Sequence, residues 1–297
     1  MAVLRLIGID GTRHMLATVA LVPYITVAGL LLGVIAMSLR RWVVGSIVLL
    51  VSIVLLANVA PRAFPDSRPN GVGTELRVMT SNTLGGIADA SVIVDVVRSR
   101  RIDVLTLQEL TPEMVADLDR AGLGSLLPNR VFLAEPGGSG SGIASRYPMQ
   151  PRNLTGPSTL RQAGALVDVP GTDIEVVSVH PLPPVEAVGP EPWQRELAGL
   201  PPRDLKGPVR VLAGDFNATL DHVALRRLLN AGYVDAADQV GAGLVHTWPA
   251  QISFWPPPVT LDHVLVDGRC PVDTVDVVDI PGTDHRAVIT QFVVPAP

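Results

Sequence analysis

The residues best suited to chemistry in this 297-residue chain are polar groups that close apolar runs. VLAGDFNA places Asp215 and Asn217 two positions apart behind a hydrophobic strand and a glycine. With Phe216 turned into the core, both polar side chains face one cleft. VLTLQEL ends in Gln108 and Glu109, and a carboxylate closing a buried strand is costly unless it is paired or holds a cation. Glu109 is therefore a candidate ligand for a hard divalent metal such as Mg²⁺; capping of a helix that begins near Thr111 is the open alternative. TLDHVLV and PGTDHRAV supply Asp262, Asp284 and His285, and a carboxylate that orients an imidazole and stabilises its charge suits general-base work. VVSVHPLPP brings His180 to a strand end, MTSNTL sets Asn82 just past another, and SGIASRYP closes a third at Ser145. Taken singly, Asn82 reads as a turn former and His180 as a structural histidine. The ordered set is a stronger signal than any one of them.

Aiming these groups into one cleft requires a rigid scaffold. Strand-like runs fall at residues 76–80, 104–107, 131–134, 142–145, 165–169, 174–179, 209–212, 261–266 and 287–293. Helical periodicity fits 88–100, 112–121, 193–200 and 223–231. Many strands with fewer helices predict an α/β domain of two packed sheets with helices outside.

Before residue 75 the character changes. Residues 15–39 and 42–60 are two apolar runs, each uncharged up to the Arg40-Arg41 pair that joins them, and each long enough to cross a bilayer, which takes roughly 20 helical residues. The expected organisation is a membrane anchor of two transmembrane helices over 1–60, a Pro-rich linker over 61–74 and a catalytic domain over 75–297. Basic residues at span ends favour the cytoplasmic side, so Arg40 and Arg41 place the hairpin turn inside and the catalytic domain outside the cytoplasm. Arg5, Arg13 and His14 before the first run, and Arg62 and Arg68 after the second, pull the other way. The single cysteine, Cys270, excludes an intrachain disulfide.

The order Asn82, Gln108-Glu109, Ser145, His180, Gly-Asp-Phe-Asn at 214–217, Leu-Asp-His at 261–263 and Thr-Asp-His-Arg at 283–286 resembles the endonuclease/exonuclease/phosphatase (DNase I-like) superfamily. The resemblance spans about residues 75–294. It implies a four-layer α/β sandwich, two central mixed β-sheets flanked by helices, and a Mg²⁺ cofactor replaceable by Mn²⁺. It also implies roles. Glu109 is the main metal ligand, with Asn82 beside it and Asp284 completing the metal's surroundings. Asn217 and His180 hold the scissile phosphate and stabilise its charge. Asp215 positions or activates water, and His285, oriented by Asp262, acts at that water or opposes the metal across the phosphate. Whether Asp215 or His285 takes the proton is left open. One departure is Leu84, where nucleases of this superfamily often carry an aspartate.

The whole chain has 23 Lys plus Arg against 28 Asp plus Glu; with the six arginines and two aspartates before Glu75 removed, the domain has 17 against 26. A net charge of −9 with one lysine argues against sequence-independent nucleic-acid binding, which relies on cations neutralising phosphates. The bilayer and a phosphorylated, lipid-linked substrate are the expected partners, with no obligate protein partner. The loop TWPAQISFWPPP holds Trp248, Phe254 and Trp255, suited either to an interfacial or apolar substrate site or to ordinary core packing. An N-terminal membrane hairpin before this domain also resembles bacterial members of the superfamily associated with glycopeptide resistance, which implies a cell-wall lipid carrier phosphate as substrate. The rival expectations are an extracytoplasmic nuclease and a noncatalytic membrane protein with a degenerate domain.

Overall fold

The computed structural model describes residues 11–66, 71–184, 189–251 and 256–296. Three helices come first: α1 (Arg13–Ala20), α2 (Val22–Ser38) and α3 (Trp42–Val59). The α/β region then runs β1 (Gly73–Asn82), α4 (Ala90–Ser99), β2 (Val104–Gln108), α5 (Pro112–Arg120), α6 (Leu123–Leu126), β3 (Asn129–Leu133), β4 (Ser141–Ser145), β5 (Met149–Pro151), β6 (Gly164–Val169) and β7 (Thr172–Val179). It continues with α7 (Glu191–Ala198), β8 (Val209–Asp215), α8 (Val223–Asn230), β9 (Tyr233–Asp235), α9 (Ala236–Gln239), β10 (Asp262–Asp267), β11 (Val272–Asp279) and β12 (Arg286–Pro295).

The strands form two six-stranded sheets, ordered β11-β12-β1-β2-β4-β3 and β5-β6-β7-β8-β10-β9. Each is mixed: β1 pairs with β2, and β7 with β8, in parallel, and the remaining neighbours are antiparallel. The period of two along a strand explains how one strand serves two cores. In β8, Val209, Val211 and Ala213 enter the core between the sheets, whereas Leu212 joins Trp193, Phe216 and Leu225 under the outer helices. On the other sheet Val78 and Val104 face inward, and Met79 and Leu105 pack beneath α4 and α5. Strands buried on both faces read as continuous apolar runs, so the central strands were legible in the sequence. The edge or near-edge strands β5, β9 and β11 were not expected; two have three residues, and β11 alternates valines with Asp273, Asp276 and Asp279.

The N-terminal region differs from the expectation of two uninterrupted spans. The first apolar run is broken at Leu21, with a bend of 69° between α1 and α2. Pro23, in the first turn of α2, lacks the N–H for a continuous helix and its ring would clash with the preceding turn. α1 docks on the domain instead, with Leu16 buried against Val177, Trp193 and Leu225. Among the described residues one helix, Trp42–Ala63, is long and apolar enough by itself to cross a membrane, and α1 with α2 passes only as a bent pair. Part of the expected linker is also docked: Arg62 is buried and Pro65 pairs with Val240. Residues 3–9, Arg68, Phe254 and Trp255 lie outside the described residues.

Candidate active site

The register of the sheets brings the polar strand ends to one rim. In the parallel pairs, Asn82 lies level with Gln108 and Val179 with Gly214, so Asn82, Glu109, His180 and Asp215 leave the sheets on the same side. The strands β10 and β12 run the opposite way, so their beginnings reach that rim. Asp262 sits opposite Asp215, and β12 starts at Arg286, directly after Asp284 and His285. Gly214 allows the two central strands to close up here, because a Cβ at that position would lie 2.0 Å from the Val179 carbonyl oxygen. Beneath the rim, Gln108 is fully buried and ties the sheets together: it accepts from Thr80 Oγ1 at 3.1 Å and donates to Ser178 Oγ at 3.0 Å.

The side chains converge on Asp215. Asn82 Nδ2 lies 3.2 Å from both Glu109 Oε1 and Asp215 Oδ2, so its amide bridges two carboxylates that would otherwise repel. Glu109 Oε2 accepts from the Gly85 N–H at 2.8 Å, and Asn82 Oδ1 accepts from the Leu84 N–H at 2.9 Å. His180 Nε2 is 3.8 Å from Asp215 Oδ2 and 4.0 Å from Glu109 Oε1. His285 Nε2 is 3.6 Å from Asp215 Oδ2 and 4.0 Å from Asp284 Oδ1, while its Nδ1 lies 2.9 Å from Asp262 Oδ2. Asn217 donates its backbone N–H to Asp215 Oδ1 at 2.8 Å and its side-chain amide to the Pro181 carbonyl at 3.2 Å. Glu109 and Asn217 both hold positive φ, +57° and +49°. Such backbone is uncommon away from glycine and persists where its surroundings over-determine it.

Burial and charge divide the two catalytic-rim histidines. Burial pushes the His180 imidazole below its ordinary range, an effect Asp215 only partly offsets. For His285 burial also acts downward, but Asp262 and Asp215, then the Asp262 hydrogen bond and Asp284, outweigh it and lift the imidazole to about 10. The Asp215 carboxyl is pushed up, chiefly by burial and then by Asp262, against the pull of His285 and His180.

A hard divalent cation fits this donor set. Glu109 and Asp215 lie beside His180, and Asp215, Asp262 and Asp284 lie beside His285, so four carboxylates gather around two imidazoles, and buried Oδ1 atoms of Asp262 and Asp284 have no hydrogen-bond partner among the described residues. Uncompensated carboxylate oxygens of this kind are what Mg²⁺ or Mn²⁺ binds. Asp215, Asp262 and His285 are also close enough to one another to share an ion. His285 Nδ1 is committed to Asp262, however, so that trio works better as a proton-handling relay, and the oxygens of Glu109 offer the more open position.

The seven residues Asn82, Glu109, His180, Asp215, Asp262, Asp284 and His285 thus share one cluster, with Asn217 on its rim. Glu109 is not the helix cap, since Thr111 accepts from the Met114 N–H and fills that role. Ser145 does not reach the site: β4 runs antiparallel to β2, so Ser141 meets Gln108 and Ser145 lies at the far end, accepting from the Tyr147 N–H. His263 is structural, held by Asp235 at 2.7 Å and by the Ala218 carbonyl at 2.8 Å. Several site groups were not anticipated. Trp248 Nε1 donates to Asp284 Oδ2 at 2.9 Å, Thr283 Oγ1 donates to the Asn82 carbonyl at 3.0 Å, and Glu196 accepts from the N–H groups of Thr159 and Leu182. The Thr-Asp-His motif could have revealed Thr283; the backbone donors of Leu84 and Gly85 have no sequence signal.

Residues 79–285 match the Endonuclease/Exonuclease/phosphatase family, and the chain belongs to it. Solved structures share the fold. An endonuclease/exonuclease/phosphatase protein from Beutenbergia cavernae is 22% identical, with a TM-score of 0.60 over 75% of this chain and 72% of that one. A humanized D. rerio TDP2 is 17% identical with a TM-score of 0.58, covering 74% of this chain and 99% of its own. Sphingomyelinase C from Streptomyces griseocarneus is 18% identical with a TM-score of 0.50, over 73% and 99% of the two chains. No curated protein matches the sequence significantly.

Proposed function

We propose that this chain is a Mg²⁺- or Mn²⁺-dependent hydrolase that cleaves a phosphoester of a phospholipid, or of a lipid-linked phosphate or pyrophosphate, at the membrane surface. The observation that carries the reading is that the apolar hairpin is clamped to the loop that leaves the active site. Past Asn217 that loop reaches Asp221, whose carboxylate takes a bidentate pair from Arg62 at 2.8 and 2.9 Å, and His222, whose Nε2 lies 3.1 Å from the Leu16 carbonyl. Tyr24 adds a hydrogen bond to the Pro258 carbonyl at 2.6 Å. With the hairpin in a bilayer, the site stands at a fixed distance from the lipid headgroups. Arg40 and Arg41 at the hairpin turn favour the cytoplasmic face, so the reading puts the catalytic domain on the other side. A sphingomyelinase among the fold neighbours is consistent with a phospholipid substrate.

A bound divalent cation, held by Glu109 with Asn82 and Asp284 beside it, would supply charge neutralisation at the phosphate. Asn217 and His180 hold the phosphoryl oxygens and stabilise charge that develops there. Asp215 orients the attacking water and accepts its proton, while His285, protonated at neutrality and fixed by Asp262 through Nδ1, faces that water or opposes the charge on the phosphate. The −9 charge of the domain disfavours nucleic acid.

The test uses the full chain in phosphatidylcholine vesicles, since truncation before the domain would remove Leu16 and Arg62 from its surface. Phosphodiesters, phosphomonoesters, phospholipids, polyprenyl pyrophosphate and DNA are offered with Mg²⁺, with Mn²⁺ and with EDTA. Metal-dependent turnover of a lipid substrate is expected; preference for DNA, or turnover unaffected by EDTA, would refute the reading.

A further inference from the structure

A cleft of about 480 Å³ lies between α2 and the domain, inside the range of about 300–1,000 Å³ common for ligand sites. Tyr24, Val27 and Leu31 of α2 form one wall, and Leu220, Leu244 and Val259 line the other. Val27 and Leu31 are 57% and 61% exposed and Leu244 is 43% exposed, so both walls present apolar surface. Such a gap is unlike the close packing of protein interiors. The charged groups at its inner end, Arg62 and Asp221, are paired with each other and leave no net charge to hold a second anion.

The domain wall of the cleft is built from loops that also lead to active-site residues. Leu220 follows Asn217 by three residues. Val259 pairs with Trp248 through N–H and carbonyl groups on both sides, and the Trp248 indole donates to Asp284. The hairpin wall continues into the apolar surface of α2, where Leu32 and Ile35 are also exposed. The cleft therefore connects, within one short stretch of structure, the apolar outside of the hairpin to the loops that carry Asn217 and Asp284.

We infer that this cleft binds a hydrocarbon chain of the phosphate-bearing lipid whose headgroup enters the active site. The inference rests on the lipid-substrate reading and adds to it a place for the chain. An apolar tail gives the exposed walls a partner that water does not.

The experiment uses the full chain in phosphatidylcholine vesicles and a phosphatidate with a photoreactive diazirine on one acyl chain. Diacylglycerol with the same labelled chain is the comparison. After irradiation, adducts are mapped by mass spectrometry. Adducts at Val27, Leu31 or Leu244, stronger with phosphatidate than with diacylglycerol, are expected. Filling the cleft from either side, by Ala28→Trp or Leu244→Trp, should cut that labelling and lower kcat/KM for the lipid by at least about tenfold, while hydrolysis of water-soluble bis(p-nitrophenyl) phosphate is unchanged. Having a variant on each wall guards against one that does not fold. Labelling that favours neither lipid, or labelling confined to α3, overturns the inference, as does lipid turnover that both variants leave intact. Cleft adducts without phosphatidate hydrolysis would support the binding site while removing phosphatidate from the substrates of the proposed activity.

Discussion

At the scale of single residues, the site is a charge problem that the protein solves with hydrogen bonds. The His285 imidazole titrates near 6.5 when unfolded and is lifted to about 10 in the fold, where Asp262 and Asp215 overcome the effect of burial. A raised value means that protonated His285 contributes stability that is fully present below about pH 6.5 and is lost as pH rises towards 10. An NMR titration of metal-free protein should follow an imidazole that stays protonated through neutrality, and Asp262→Asn should bring its midpoint down. Gly138 supplies a second test. A Cβ there would sit 3.2 Å from Glu109 Oε2, so Gly138→Ala should weaken Mg²⁺ affinity, measured calorimetrically, with little change in melting temperature. The residues that gather at the candidate site were legible because each closes an apolar run or belongs to an ordered motif. Ser145 misled because a motif gives sequence order, whereas an antiparallel strand decides which end of the sheet a residue occupies. Trp248 was read only as an aromatic in a loop, and nothing local links it to Asp284 36 positions away.

At the scale of elements, two features hold the rim together. β7 and β8 approach closely only because position 214 has no side chain. Gly214→Ala would drive its methyl against the Val179 carbonyl, and a loss of about 1–3 kcal/mol is expected from such overpacking, measured by chemical denaturation. The second feature is the buried Arg62–Asp221 pair, with side chains 7% and 0% exposed. Removing one partner of a buried pair costs about 3–5 kcal/mol because the other charge is stranded. Arg62→Met should therefore lower the thermal unfolding temperature and increase protease sensitivity around residues 60–66, and the double change with Asp221→Leu should recover much of the loss. The central strands and the four main helices of the domain could be read from apolar runs and periodicity. The short strands β5 and β9 carry too few residues for a pattern, and the Asp-rich β11 disguises a strand as a polar stretch. Its outward aspartates also suit an edge that must not pair with another chain.

At the scale of the whole molecule, the apolar helices and the α/β domain form one continuous structure. The sequence implied a free anchor joined by a linker, but α1 lies under the domain and Arg62 is buried in it. Composition marks a run as apolar without saying whether lipid or protein covers it, and Pro23 is where the two uses separate. In the proposed function Glu109, Asp215 and His285 form a metal-dependent site for lipid phosphoesters. The most direct measurement is metal-dependent hydrolysis of phosphatidate and polyprenyl pyrophosphate by the full chain in vesicles, followed by phosphorus NMR, beside Glu109→Gln. The account predicts turnover with Mg²⁺ or Mn²⁺ that falls by at least about a hundredfold in the variant, the scale expected when one charge-stabilising group is lost. Absence of turnover on both lipids, or equal turnover by Glu109→Gln, would contradict it.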